Sequence, residues 1–115
     1  MRSFRMNVVP AAALAVAFAA WFAAPSAIRA EDPVVRQAKS TFAPETMTVA
    51  KGQKVRFLND DTITHNVLSR TAGAEFNLGS MKPGDSAERA FDKPGPVDVR
   101  CAIHPRMRLT IQVTE

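Results

Sequence analysis

A second cysteine is missing from this 115-residue chain: Cys101 stands alone, so no intrachain disulfide can staple the fold. Also missing are a sustained helical period, internal repeats, a low-complexity tract after the first 30 residues, and any linker long enough to divide the chain. These absences exclude a helical bundle, a repeat array and a two-domain protein. They leave a lone thiol to explain. It can be a small buried hydrophobe, one half of an intermolecular disulfide, or a metal-bound thiolate.

An excess of charge of one sign is nearly absent once the first residues are set aside. Arg2 and Arg5 precede an apolar, Ala-rich run from Val8 to Ala24, and Ala24-Pro25-Ser26-Ala27-Ile28-Arg29-Ala30 supplies small residues before a polar start at Glu31. That layout predicts a secretory signal peptide over 1–30, cleaved near Ala30. The run is shorter than the roughly 20 residues a spanning helix needs, and Pro10 interrupts it, so membrane insertion after cleavage is not expected. No cysteine in 1–30 offers a lipid attachment site. Three of the 15 Lys and Arg lie in this leader, leaving 12 basic against 11 acidic residues over 31–115. The mature part therefore carries no general basic footprint for nucleic acid. Its 85 residues suffice for one small domain.

What the mature part does have is short alternating or apolar runs separated by Gly, Pro and Asp. Strands are predicted at Val34–Thr41, Thr46–Val49, Lys54–Leu58, His65–Leu68, Ser86–Phe91, Val97–Cys101 and Arg108–Val113. Turn chemistry falls between them, as in Lys82-Pro83-Gly84-Asp85. Arg70 to Met81 is left open between a helical turn and an extended loop. Strands of this length and spacing predict an all-β fold, two antiparallel sheets packed as a sandwich.

The chain holds two histidines, and both sit beside turn-like sequence. Cys101-Ala102-Ile103-His104-Pro105-Arg106-Met107 places a thiolate, an imidazole and a thioether on one tight loop at the end of a predicted strand. His65, from another loop, would complete two imidazoles, a thiolate and a thioether. Singly, His65 reads as a turn residue and Met107 as core filler. Together they match the donor set of a blue-copper site, with two His and one Cys in a plane and a weak axial Met. Zinc prefers a closed tetrahedral set, usually richer in Cys, with no special use for Met.

With these residues in view, the chain resembles the cupredoxin family, and within it the amicyanin-like, small plastocyanin-like members. The likeness runs from Phe42 to Glu115, through Phe42-Ala43-Pro44, Val49-Ala50-Lys51-Gly52, Val55-Arg56-Phe57-Leu58-Asn59-Asp60, His65-Asn66-Val67 and Phe91-Asp92-Lys93-Pro94-Gly95 to the short Cys-x2-His-x2-Met loop. It implies a Greek-key β-sandwich of about seven to eight strands. It further implies Cys101 as thiolate ligand and start of the internal electron path, His104 as the ligand nearest the surface, Met107 as axial ligand and His65 as buried ligand. Asn66 would aim its N–H at the Cys101 sulfur and pin the ligand loop with its side chain, and Pro105 has no N–H to offer the sulfur. The sequence departs from the family at Val97-Asp98-Val99-Arg100, where aromatics are common, at Arg106, where an apolar residue is common, and at Leu109, where glycine is common. The family's apolar docking patch is therefore not carried over.

The function these features predict is one-electron transfer in the periplasm by a monomer with one type 1 copper ion. Redox partners would be of the dehydrogenase or c-type cytochrome kind, and Arg100, Arg106 and Arg108 are candidate docking residues for an acidic partner surface. Copper delivery or storage is the competing expectation. No spare base or nucleophile stands near the ligands, so an enzyme is not expected.

Overall fold

A computed structural model describes residues 32–115; the predicted leader lies outside them. Nine strands form: β1 (Val34–Ala38), β2 (Thr41–Ala43), β3 (Thr46–Ala50), β4 (Lys54–Asn59), β5 (His65–Ser69), β6 (Phe76–Met81), β7 (Ser86–Ala90), β8 (Gly95–Arg100) and β9 (Arg108–Thr114). They build a four-stranded sheet in the order β2-β1-β4-β7 and a five-stranded sheet in the order β3-β9-β8-β5-β6. Among the described residues no helix is long and apolar enough to cross a membrane.

Alternation explains the packing. Leu109, Ile111 and Val113 of β9, Val97 and Val99 of β8, Val55 and Phe57 of β4, and Val35 of β1 all point inward and are buried. Successive strand residues face opposite sides, so each such set lines one face, and each large side chain removed from water contributes about 1.5–3 kcal/mol. Phe76 and Phe91 meet edge to face at 5.8 Å between ring centroids, closing the side of the core near β6.

Two expectations need correction, and one open segment takes a definite form. The sheets are mixed, because β1 pairs parallel to β4 and β3 parallel to β9. Parallel neighbours arise where the chain returns from the other sheet rather than by a hairpin, and pattern alone does not signal that return. Among the described residues there are nine strands, where about seven to eight were expected. The run predicted as Val34–Thr41 breaks at Lys39 and Ser40, both left-handed (φ 49° and 53°), and this corner turns the chain back as β2. The open segment 70–81 ends in a full strand, β6, paired antiparallel to β5.

The inward rows change character at one end of the sandwich. On β1, Val35 is followed inward by Gln37. On β4, Val55 and Phe57 are followed by Asn59. On β8, Val97 and Val99 are followed by Cys101, and β5 begins inward at His65. All four residues are buried. The parallel pairing of β1 with β4, register Gln37↔Asn59, puts two of these ends side by side. The same end receives Cys101 from β8 and His65 from the antiparallel strand beside it.

Candidate metal centre

Strand parity and the loop after β8 bring three of the four predicted ligands, His65, Cys101 and His104, together. His65 Nδ1 lies 4.0 Å from Cys101 Sγ, His104 Nδ1 lies 3.9 Å from the same sulfur, and the two ring nitrogens are 3.0 Å apart. This is the group of three or more His, Cys, Asp or Glu side chains among the described residues that could hold a metal ion. Bonds of roughly 2.0 Å to nitrogen and 2.3 Å to sulfur set trigonal donors about 3.5–3.7 Å apart, so the triangle fits one ion once the two rings part slightly. His65 and Cys101 are buried, and His104 is half-buried. Met107 is also buried, and its N–H donates to the His104 carbonyl at 3.0 Å, which tightens the loop and places Met107 at the foot of β9.

The orientation of His65 is fixed from behind. Its Nε2 sits 2.8 Å from Asp61 Oδ2. Asp61 also accepts from the Ser40 N–H at 2.9 Å and the Thr62 N–H at 2.7 Å. The Ser40 bond, then the His65 bond, then the Thr62 bond hold the Asp61 carboxyl at about 2, below its ordinary 3.8. An ionised carboxylate only accepts, so His65 donates to it through Nε2–H, and the ring presents Nδ1 on the side of His104 and Cys101.

Asn59 shapes the loop that delivers these groups. Its buried amide donates to the carbonyls of Ile63 (2.9 Å) and Met81 (2.8 Å) and accepts from the Asp61 N–H (3.0 Å). Asn66 ties the two arms of the site together. Its N–H points at Cys101 Sγ, 3.5 Å away, and its side-chain oxygen accepts from the Ala102 N–H at 2.7 Å. Pro105 is exposed on the outer side of the loop.

Sequence reasoning missed Asp61, Asn59 and Gln37. Asp61 stood in plain view within a polar turn, four residues before His65, but nothing in that pattern separates a ligand-orienting carboxylate from a solvated one. It also missed Ile103, half exposed at 50%, and Ile63 at 42%, which give the loops around the site an apolar surface. Among the candidate docking residues, Arg106 and Arg108 are exposed. Arg100 is held by Asp98 at 2.8–2.9 Å and is not a free charge. Beside Cys101 runs an open groove rimmed by Leu68, Arg70, Thr71, Ala102 and Pro105.

This is the site of a copper protein of the cupredoxin class. The sequence model of the copper binding proteins, plastocyanin/azurin family, matches residues 32–114, and the chain belongs to that family. Among solved structures it is similar to a reduced Cu(I) form of an amicyanin variant, at 26% identity and TM-score 0.70, over 76% of this chain and 86% of that one. It also resembles a purple cupredoxin from Nitrosopumilus maritimus, at 23% identity and TM-score 0.65, over 72% of this chain and 100% of that one. A third likeness, to a Cu-containing nitrite reductase (NirK) from Thermus scotoductus SA-01, has 24% identity and TM-score 0.69. It spans 79% of this chain but 24% of the reductase chain. At these two lower identities the likeness concerns the fold. No protein with a curated description matches the chain.

The Asp61 geometry carries a pH dependence. A carboxyl held below its ordinary value stabilises the fold above pH 3.8, and that contribution is lost as pH falls toward about 2. In the metal-free protein, Asp61→Asn should therefore lower the urea midpoint at pH 6. The gap between variant and wild type should close between pH 4 and pH 2. A gap constant with pH would remove the carboxylate charge from the account.

Proposed function

We propose that the protein carries single electrons between redox partners, using one copper ion that His65, Cys101 and His104 would hold with Met107 as a fourth donor. The observation that carries this reading is the convergence of two ring nitrogens and one sulfur at the end of a buried core, all within 4.8 Å of one another. Bound copper supplies the Cu(II)/Cu(I) couple. Each protein group then has a task. Asp61 holds the His65 ring, and the Asn66 N–H and side chain hold Cys101 and its loop, so the donors keep their places in both oxidation states. Cys101 continues the backbone of β8 and starts the path into the protein. His104, half-buried and flanked by exposed Ala102, Ile103 and Pro105, gives the shortest route to the surface.

Several features favour a carrier over copper delivery or an enzyme. Transfer of the metal to a receptor proceeds by ligand exchange, and here the thiol is 1% exposed and His65 is fully buried. Four protein donors leave no open position for a substrate. A copper-loaded sample should show the intense visible absorption of a thiolate-to-Cu(II) charge transfer, bleached by ascorbate, and Cys101→Ser should abolish it. A pale wild-type protein with the EPR signal of ordinary tetragonal copper would sink the reading.

Partner contact is assigned to the same end. Exposed Ile103 and Pro105 provide a small apolar patch, and Arg106 and Arg108 add positive charge that suits an acidic rim on a dehydrogenase or c-type cytochrome. Such contacts are small and transient, so charge acts mainly on the association rate. Arg106→Glu should slow reduction by the physiological donor about tenfold at low salt and flatten its ionic-strength dependence. Unchanged stopped-flow rates would remove Arg106 from docking.

Residues 1–30 are proposed as a cleaved export signal and 31–115 as the working domain in the periplasm, on the strength of the charged, apolar and small-residue order. Intact mass of the exported protein should correspond to a chain beginning at or near Glu31. A mass that retains Arg2 and Arg5 would refute it.

A further inference from the structure

Gln37 is the one polar residue at the ligand end whose presence the site described above does not explain. It is fully buried on the inward face of β1, in the sheet opposite to the ligand strands. Its Nε2 crosses between the sheets and donates to the Asn66 carbonyl at 3.1 Å. Its Oε1 is the buried side-chain polar atom, among the described residues, that has no hydrogen-bond partner. A buried carbonyl oxygen left unpaired costs at least as much as one neutral hydrogen bond returns, so Gln37 is a poor choice for stability alone. Methionine or leucine would fill a similar volume without an unpaired oxygen of its own, at the cost of the donor to the Asn66 carbonyl.

The benefit falls on Asn66. The pairing of β5 with β8 covers Leu68 and Ser69, short of Asn66, and the register of β5 against β6 shifts between Asn66 and Leu68. Asn66, whose N–H points at the Cys101 sulfur, pairs with Ser80 of β6 but has no partner on β8, so the ladders hold this residue on one side only. Gln37 is itself rigid: its carbonyl accepts the Asp60 N–H at 2.9 Å, and it lies opposite Asn59 in the register of β1 with β4.

We infer that Gln37 is a positioning residue for the Cys101 sulfur, its side-chain amide gripping the Asn66 carbonyl so that the Asn66 N–H and side chain stay aimed at Cys101 and Ala102. This rests on the copper reading for its redox consequence but not for its structural one. An N–H directed at a thiolate draws electron density from the sulfur and weakens its donation to Cu(II). Loosening that N–H therefore favours Cu(II).

The test compares Gln37→Met and Gln37→Leu with wild type, each metal-free and copper-loaded. In the metal-free proteins the urea midpoint should change little, because relief of the unpaired Gln37 oxygen offsets the lost bond to the Asn66 carbonyl. Amide hydrogen exchange at Asn66 and Ala102, followed by NMR, should quicken about tenfold while exchange in β9 stays unchanged. In the copper-loaded proteins the balance should move toward Cu(II) by about threefold to tenfold, tenfold corresponding to about 59 mV for one electron. Exchange at Asn66 and Ala102 that is unchanged, or that quickens only in step with a global loss of stability, overturns the proposal. So does failure of both variants to fold, which would make Gln37 a plain core requirement. If wild type shows no charge-transfer band, the copper reading fails while the exchange measurement on metal-free protein still decides the role of Gln37.

Discussion

The site depends on the double tie made by Asn66. One ligand arrives on the first residue of β5, and the others arrive on a loop that follows β8, about 40 residues later in the chain. Where these strands reach the end of the sandwich their ladder stops, since β5 and β8 pair only at Leu68 and Ser69. Asn66 replaces the missing rungs with an N–H toward the Cys101 sulfur and a side-chain oxygen on the Ala102 N–H. Without that replacement two loop ends would meet with nothing to fix their separation, and loops held only by their stems are mobile.

Around this tie the core changes from apolar to polar over one residue per strand. Gln37, Asn59, His65 and Cys101 each occupy the inward position next after a valine or phenylalanine, or, for His65, next before Val67. Burying polar groups is costly unless they are bonded, and here the bonds are supplied by neighbours in the same cluster. Asn59 has both ends of its amide engaged. Asp61, fed by two backbone N–H groups, accepts from His65 Nε2 and so fixes the orientation of the ring. A left-handed corner at Lys39 and Ser40 is the geometric condition for one of those N–H groups, so a surface turn on β1 and β2 reaches the metal centre through a single carboxylate.

The outer side of the ligand loop has the opposite design. Ala102, Ile103, Pro105 and Arg106 are exposed around a half-buried His104, so the most accessible donor is surrounded by apolar surface and positive charge. Enclosed donors with one reachable edge are what the proposed carrier role asks for.

Much of this was legible beforehand. Alternation at Val55 and Phe57, and at Leu109, Ile111 and Val113, marks strands with one buried face, and the compact order Cys101, His104, Met107 marks a loop able to curl around one ion. Those are local properties, carried by periods of two residues and by spacing within a single turn, so the chain by itself determined them. The parallel pairings of β1 with β4 and β3 with β9, the break at Lys39 and Ser40, and strand β6 were not legible, because they depend on which distant segments become neighbours. The same holds for the polar residues that orient the ligands. Gln37, Asn59 and Asp61 look like ordinary strand and turn residues until two sheets close, and only the closed sandwich decides that the amide of one sheet meets a peptide of the other, since a hydrogen bond of about 3 Å is a fact of distance in space rather than of separation along the chain.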